Sequence, residues 1–174
     1  MRRLFTLLAR YNAHANTQMF ELLRKAPPEL LARSAGSYYG SIMGLLNHTL
    51  MSDLGWLDAY RGSDLEFASL DTTVLDFERP ADGALLYDDL EDLWSRRQQV
   101  DAVLSAFAEE LTDDLLAGTI TMDRRGRRHT FVLGEVLLHL FNHQTHHRGA
   151  VSQILDQEGI ENDYSNILRL LMPR

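Results

Sequence analysis

Long stretches of apolar residues at helical spacing constrain this chain more than any other feature of its sequence. In the clearest stretch, residues 86–111, apolar positions alternate by four and three, with charged residues between them. This spacing predicts a helix with one buried stripe. Residues 4–23, 41–60 and about 130–158 also have helical period or length. Four such helices bury their stripes most simply as a four-helix bundle, so we predict an all-α fold. The clearest stripe comprises Leu86, Leu90, Leu93, Arg97, Val100, Leu104, Phe107 and Leu111.

The segments between the helices suggest how the bundle is connected. Residues 63–83 contain Asp, Thr, Pro and Gly without a sustained helical repeat, which predicts a long connection between helices two and three. A connection of this length permits an up-down-down-up order. Residues 119–131 read TITMDRRGRRHTF, which predicts a small hairpin before helix four. With 174 residues, the chain is expected to form a single domain over residues 1–174.

Individual residues mark the predicted ends of these elements. Gly62 is suited to a left-handed cap after helix two, Thr130 to the N-cap of helix four, and Gly159 to its end. An apolar tail, residues 167–172, is expected to pack back on the bundle.

Charge and cysteine content exclude several classes of function. The formal net charge is -8, which disfavours binding to nucleic acid and to anionic membranes. The chain has no cysteine, so it supplies no disulfide, thiolate zinc site or cysteine nucleophile. Arg10 interrupts the first apolar run before a secretory or membrane-spanning segment could form, and we expect a cytoplasmic protein.

Histidines are concentrated in the predicted fourth helix. Four of the seven lie within LHLFNHQTHHRG, and His143 and His147 form an H-x-x-x-H pair. This spacing stacks two imidazoles one helical turn apart, so both can reach one metal ion. Gln144 stands where a metalloprotease of the H-E-x-x-H class has its catalytic glutamate, which excludes that class.

A catalytic site of this type needs about three protein ligands and an open position. His48 is the best third candidate, because small residues flank it in helix two; the alternative is a hydrogen-bonded core histidine. His139 and His146 are expected to pack beside the site, although spacing also permits His139 to replace His147. A fourth ligand would close the site; the candidates are His139, His14 and Asp53. Asp53 and Glu135 are candidate partners for the outer ring nitrogens.

The motifs together resemble the DinB/YfiT-like family of metal-dependent helical-bundle proteins. The resemblance rests on LARYNAHAN, LLNHTLMSDLGWLDAY, LWSRRQQVDAVLSAFAEEL and HLFNHQTHHRGAVSQIL, one in each predicted helix. It implies a three-histidine metal site on His48, His143 and His147, an up-down-down-up bundle and a homodimer. Two positions depart from the family pattern: His14, where tryptophan is common, and Ala150, where glutamine commonly follows H-H-R-G.

Family members of known activity include thiol-dependent transferases and isomerases. The resemblance therefore implies a metal-dependent enzyme that activates a small thiol cosubstrate or water, acting as an S-transferase or a hydrolase on a small molecule. The divalent ion is expected to be zinc or nickel, with iron or manganese as alternatives. The competing hypothesis is a noncatalytic, stress-related homodimer in which the metal joins two helices.

Two further groups of residues have a structural and a functional interpretation. The arginines of the hairpin could bind phosphate or an anionic thiol, but a solvated turn is the favoured interpretation. Four aromatic residues are expected to serve the core or a dimer interface. The arginines are Arg124, Arg125, Arg127 and Arg128, and the aromatic residues are Tyr38, Tyr39, Trp56 and Trp94.

Overall fold

The computed structural model describes residues 1–36, 38–81, 84–124 and 126–172. Within these ranges the chain is mostly helical, and one antiparallel hairpin precedes the last long helix. Both features were predicted from the sequence and are confirmed. The helices are α1 (Arg2–Leu23), α2 (Pro28–Ala32), α3 (Ile42–Arg61), α4 (Leu90–Glu110), α5 (Asp113–Ala117) and α6 (Leu133–Gln157), and the strands are β1 (Thr119–Arg124) and β2 (Arg127–Val132).

The predicted stripe of α4 forms the centre of the hydrophobic core. Leu93, Val100 and Phe107 are fully buried. Leu86 lies before the helix, which begins at Leu90. Asp89 is its N-cap and accepts hydrogen bonds from two backbone N–H groups of the first turn. Burial of this stripe against the other long helices supplies the main driving force for folding.

Contacts at both ends of helix pairs define their relative directions. Arg2 at the start of α1 bonds to Glu109 at the end of α4, whereas Arg24, just after α1, pairs with Glu91 at the start of α4. These two helices are therefore antiparallel. By contrast, α3 and α4 run in the same direction. Asp53 of α3 pairs with Arg97 of α4, and later in both helices the ring of Tyr60 stacks on that of Phe107.

Helix α6 contacts both α3 and α1. The Tyr60 hydroxyl near the end of α3 donates to the Val136 carbonyl near the start of α6, while Gln144 reaches back to Thr49. These two helices are thus antiparallel. Tyr11 of α1 and Arg148 of α6 also lie together, with the guanidinium 5.3 Å from the ring centroid.

The connection between α3 and α4 crosses the helices. It contains two short 3-10 turns, Ala68–Leu70 and Thr73–Leu75, and Leu70 and Leu75 are fully buried. Phe67 packs edge-on against Phe107 of α4, with ring centroids 4.8 Å apart. The apolar side chains therefore anchor this connection, although it lacks a helical repeat.

Three predictions about local structure were wrong. Thr130 lies in β2, paired with Thr121, so the residue before α6 is Val132. Gly62 has φ -85°, which is not left-handed, whereas Gly159 has φ 69° after α6 as predicted. The tail does not pack closely on the core, because Leu168 and Met172 are largely exposed.

Within the described ranges, no helix is both long and apolar enough to cross a membrane.

Candidate metal centre

Three histidines from two antiparallel helices converge on one point. His48 belongs to α3, and His143 and His147 belong to α6. The Nε2 atom of His143 lies 3.1 Å from Nε2 of His48 and 3.1 Å from Nε2 of His147. The candidate ligand atoms of all three residues fall within 4.8 Å of one another. The structure thus brings together the three residues predicted from the sequence.

Hydrogen bonds from α6 to α3 set the relative positions of these helices. The Gln144 side-chain amide donates to Asp53 Oδ2 at 2.6 Å and to the Thr49 carbonyl at 3.4 Å. Gln144 follows His143, and Thr49 follows His48. The same hydrogen bonds therefore fix where the two helices present their imidazoles.

Burial keeps the three imidazoles neutral at physiological pH. Burial, and to a lesser extent charge on neighbouring histidines, lowers the pKa of His48, His143 and His147 to about 4 each. A neutral imidazole has a free lone pair on one ring nitrogen, which is the form that binds a metal. The environment thus favours the ligating form.

The remaining candidates do not join the cluster. His139 is exposed and packs against Trp56, with ring centroids 5.3 Å apart. The ring centroid of His139 lies 6.0 Å from that of His143. His146 is exposed, with its ring edge toward His147. Asp53 pairs with Arg97 instead. Among the described residues, the cluster that could hold a metal ion consists of three histidines, without a fourth ligand.

The predicted outer partners of the histidines are not observed. Nδ1 of His143 and Nδ1 of His147 are buried and have no hydrogen-bond partner among the described residues. Asp53 is engaged elsewhere, and Glu135 is exposed on the first turn of α6. The expectation that Asp53 or Glu135 orients an imidazole is therefore wrong.

Tyr39 forms one wall of the cluster, whereas the sequence predicted only a place in the core or a dimer interface. Its ring stacks on His48, with centroids 3.8 Å apart and an interplanar angle of 18°. It also meets His147 edge-on at 5.3 Å. Neighbouring Tyr38 is 93% exposed, which excludes the core and leaves the dimer interface as the prediction for that residue, whereas Trp56 and Trp94 are buried.

A buried polar network lies beside the cluster and joins the four long helices. Arg97 of α4 forms ion pairs with Asp53 of α3 at 2.8 Å and with Asp101 at 2.9 Å. Asp101 accepts hydrogen bonds from Asn16 of α1, and Arg148 of α6 donates to Asn12 of α1. The formal charges of the four buried groups add up to zero, which limits the electrostatic cost of burying them. The groups are Asp53, Asp101, Arg97 and Arg148.

An open cleft of about 570 Å³ leads to the histidines. One wall is the face of α3 that carries His48, Ser52 and Gly55, and α6 contributes His143 and His139. This volume is in the range of sites for small metabolites. A small molecule can therefore reach two of the three clustered imidazoles.

The donor set passes a simple test of fit to a divalent ion. Two nitrogens that each lie about 2.0–2.1 Å from one zinc ion are about 3–3.4 Å apart, and the two Nε2 separations of 3.1 Å agree with this value. A neutral imidazole carries one N–H, so three Nε2 atoms in mutual proximity cannot all be satisfied by hydrogen bonds to one another. His48, His143 and His147 could therefore hold a metal ion.

The two hairpin arginines whose side chains the structure describes, Arg127 and Arg128, lie outside the site. Arg127 and Arg128 are exposed, and neither lines the cleft. Arg125 and the side chain of Arg124 lie outside the described residues. Gly126 at the tip has φ 73°, as the predicted turn requires.

Comparison with known proteins identifies the family of this chain. A model of the DinB family matches residues 1–172. Protein DinB of Bacillus subtilis (strain 168) is 32% identical to this chain over 152 residues, which cover 87% of this chain and 84% of the relative. No solved structure matched the chain. On its family match over nearly its whole length, the chain belongs to the DinB family.

Proposed function

We propose that this protein is a metal-dependent enzyme in which His48, His143 and His147 hold a divalent ion. The observation that carries the proposal is the convergence of three neutral imidazoles, two of which line an open cleft. A divalent ion held there would lower the pKa of a small thiol or of water and so favour its nucleophilic form. We therefore propose an S-transferase or hydrolase activity, with zinc or nickel as the metal and iron or manganese as alternatives.

Each side chain around the site has a part in this proposal. The three histidines bind through their Nε2 atoms, and Tyr39 covers one face of His48 against water. The cleft admits a substrate from the side of α3 that carries Ser52. His139 lines the same cleft and is exposed, so its ring is accessible to substrate and to solvent.

The noncatalytic alternative, a metal that only joins two helices, has less support. A purely structural site is normally closed by four protein ligands. The cluster has three within the described ranges, and the cleft reaches it. These two observations favour the enzyme over the structural metal site.

The architecture and assembly form part of the same proposal. We propose an up-down-down-up four-helix bundle in one domain, supported by the directions of the contacts between α1, α3, α4 and α6. The homodimer, the low-molecular-weight thiol and the cytoplasmic location remain predictions from the sequence and the family resemblance.

Elemental analysis of protein purified without a polyhistidine tag tests the metal site. We expect near-stoichiometric metal in the native chain and its loss in a His143→Ala/His147→Ala double variant. A His146→Ala variant is the matched control, because His146 is an exposed histidine of the same helix outside the cluster. A native chain that stays empty after incubation with zinc, nickel, iron and manganese would refute the proposal.

Metal-loaded protein then tests the chemistry. Thiol transfer and ester or amide hydrolysis should be assayed with the ion that the native chain retains. Activity that is lost in the double variant and kept in His146→Ala would support the enzyme. A fully loaded protein inactive in both screens would favour the noncatalytic alternative.

A further inference from the structure

We propose that the cleft beside the histidines binds a substrate that carries a carboxylate, and that Arg79 recognises this carboxylate. The inference rests on the proposed function, because it places the reacting end of the substrate at the histidine cluster. Arg79 lies in the connection between α3 and α4 and lines the same cleft as His48 and His143. It would determine specificity without touching the reacting atoms.

The guanidinium of Arg79 is available for a ligand. Within the described ranges, no hydrogen bond or ion pair engages it, and its guanidinium carbon lies 5.9 Å from the ring centroid of Phe77. By contrast, Arg61 and Arg97 each bind a carboxylate of the protein. A guanidinium offers parallel N–H donors that match a carboxylate bidentately.

The guanidinium of Arg79 lies against α3 at Gly55, at the wall of the cleft. A Cβ atom at this position would lie 3.6 Å from Nη2 of Arg79, so the arginine approaches α3 where the helix has no side chain. Arg79 and Gly55 both line the cleft, so the arginine lies beside the space that a substrate would fill. A larger residue at position 55 would compete for that space.

The distance between His48 and Gly55 along α3 gives the approximate length of the substrate. They are seven residues apart on α3, which corresponds to about 10 Å along the helix axis. Met51 and Ser52 line the cleft between them and are uncharged. The cleft thus suits a molecule with a reactive thiol or electrophile at one end, a neutral middle section and an anionic group at the other end.

The charges around the cleft favour a carboxylate over a more highly charged phosphate. Arg79 is one guanidinium in a protein of net charge -8, and Asp123 lines the same cleft. In the hairpin, Asp123 stands directly opposite Arg128 as an opposite-charge cross-strand pair. A single cation matches the single negative charge of a carboxylate.

Equilibrium binding of two thiols to the cobalt-loaded, full-length protein tests the inference. The probes are 6-mercaptohexanoate and 6-mercapto-1-hexanol, which have the same length and differ in the anionic group. Thiolate binding to cobalt is followed by its charge-transfer absorption. We expect the native protein to bind the carboxylate at least about fivefold more tightly, which corresponds to about 1 kcal/mol.

Two variants make the test specific to Arg79. Arg79→Gln should bind both thiols equally, whereas Arg127→Gln, which removes the same charge from the hairpin outside the cleft, should keep the preference. If the native protein takes up cobalt but binds both thiols equally, or binds neither, this inference is overturned and the metal site is not. A preference that persists in Arg79→Gln also overturns it. A native protein that takes up neither cobalt nor zinc, nickel, iron or manganese overturns the proposed function and this inference together.

Discussion

The ring of Tyr39 lies nearly parallel to the imidazole of His48, and the two ring centroids are 3.8 Å apart. Tyr39 comes from the segment before α3, whereas His48 lies in the second turn of that helix. The contact restricts the rotation of His48 about its side-chain bonds and covers one face of the ring. Metal affinity should therefore depend on a residue that is not itself a ligand.

We predict that Tyr39→Ala weakens metal binding by up to about tenfold, because His48 gains rotational freedom and solvent access. Tyr39→Phe keeps the stacked ring and should bind metal like the native protein. Competition with a chromophoric chelator measures both affinities. Equal losses in the two variants would assign the effect to the hydroxyl group and contradict the stacking argument.

Gly44 allows the segment that carries Tyr39 to approach α3. A Cβ atom at this position would lie 1.9 Å from the carbonyl oxygen of Tyr39, a distance that the backbone cannot accommodate without moving. We predict that Gly44→Ala lowers the free energy of unfolding by about 1–3 kcal/mol. Urea unfolding of the native and variant chains measures this difference.

Gly149 of α6 is the matched control for that substitution. Nothing lies within 4 Å of a Cβ atom built there, so alanine fits, and its better helix propensity should stabilise the protein by up to about 1 kcal/mol. Similar effects at both glycines would show that the approach of Tyr39 to α3 does not explain the loss at Gly44.

Periodicity predicted the long helices because each buries a stripe that recurs along many turns. The stripe of α4, including Leu93 and Phe107, is buried as expected. Helices α2 and α5 were not predicted, since five residues are too few to show a period. Thr130 was misassigned because strand pairing across the hairpin competes with capping for the same residue.

In the site, as in the fold, local features could be predicted from the sequence and long-range contacts could not. The spacing of His143 and His147 is local to one helix, so sequence alone could indicate a shared ion. Small neighbours in helix two made His48 the third candidate, and the family resemblance supported that choice. The contact of Tyr39 with His48 depends on how a loop folds over α3, which no spacing rule contains. Arg97 did leave a signal, because a charged residue occupies a position in an otherwise apolar stripe.

The buried ion pairs of Arg97 predict a large loss of stability on substitution. Arg97→Met would leave Asp53 and Asp101 buried without their cation, and we expect a loss of about 3–5 kcal/mol in the free energy of unfolding. Arg96→Met is the control, since Arg96 is partly exposed and pairs with no carboxylate within the described ranges. Equal unfolding midpoints in urea for the two variants would contradict the argument.

The clustered histidines predict how the stability of the metal-free protein depends on pH. In the folded chain, the pKa of His48, His143 and His147 is about 4, whereas an unfolded imidazole has a pKa of about 6.5. Between these values the unfolded chain binds protons that the folded chain does not, so the free energy of unfolding falls as the pH decreases from about 6.5 toward 4. Above about 6.5 these groups contribute no pH dependence.

A variant with all three histidines replaced by asparagine isolates this contribution. Acidic residues contribute similarly to both proteins, so the native chain should lose more stability than the variant between pH 6.5 and pH 4.5. Urea unfolding of chelator-treated protein at several pH values measures the two slopes. Identical slopes would mean that the imidazoles titrate in the folded protein as they do in the unfolded chain, and the metal-free cluster would then already be charged in weak acid.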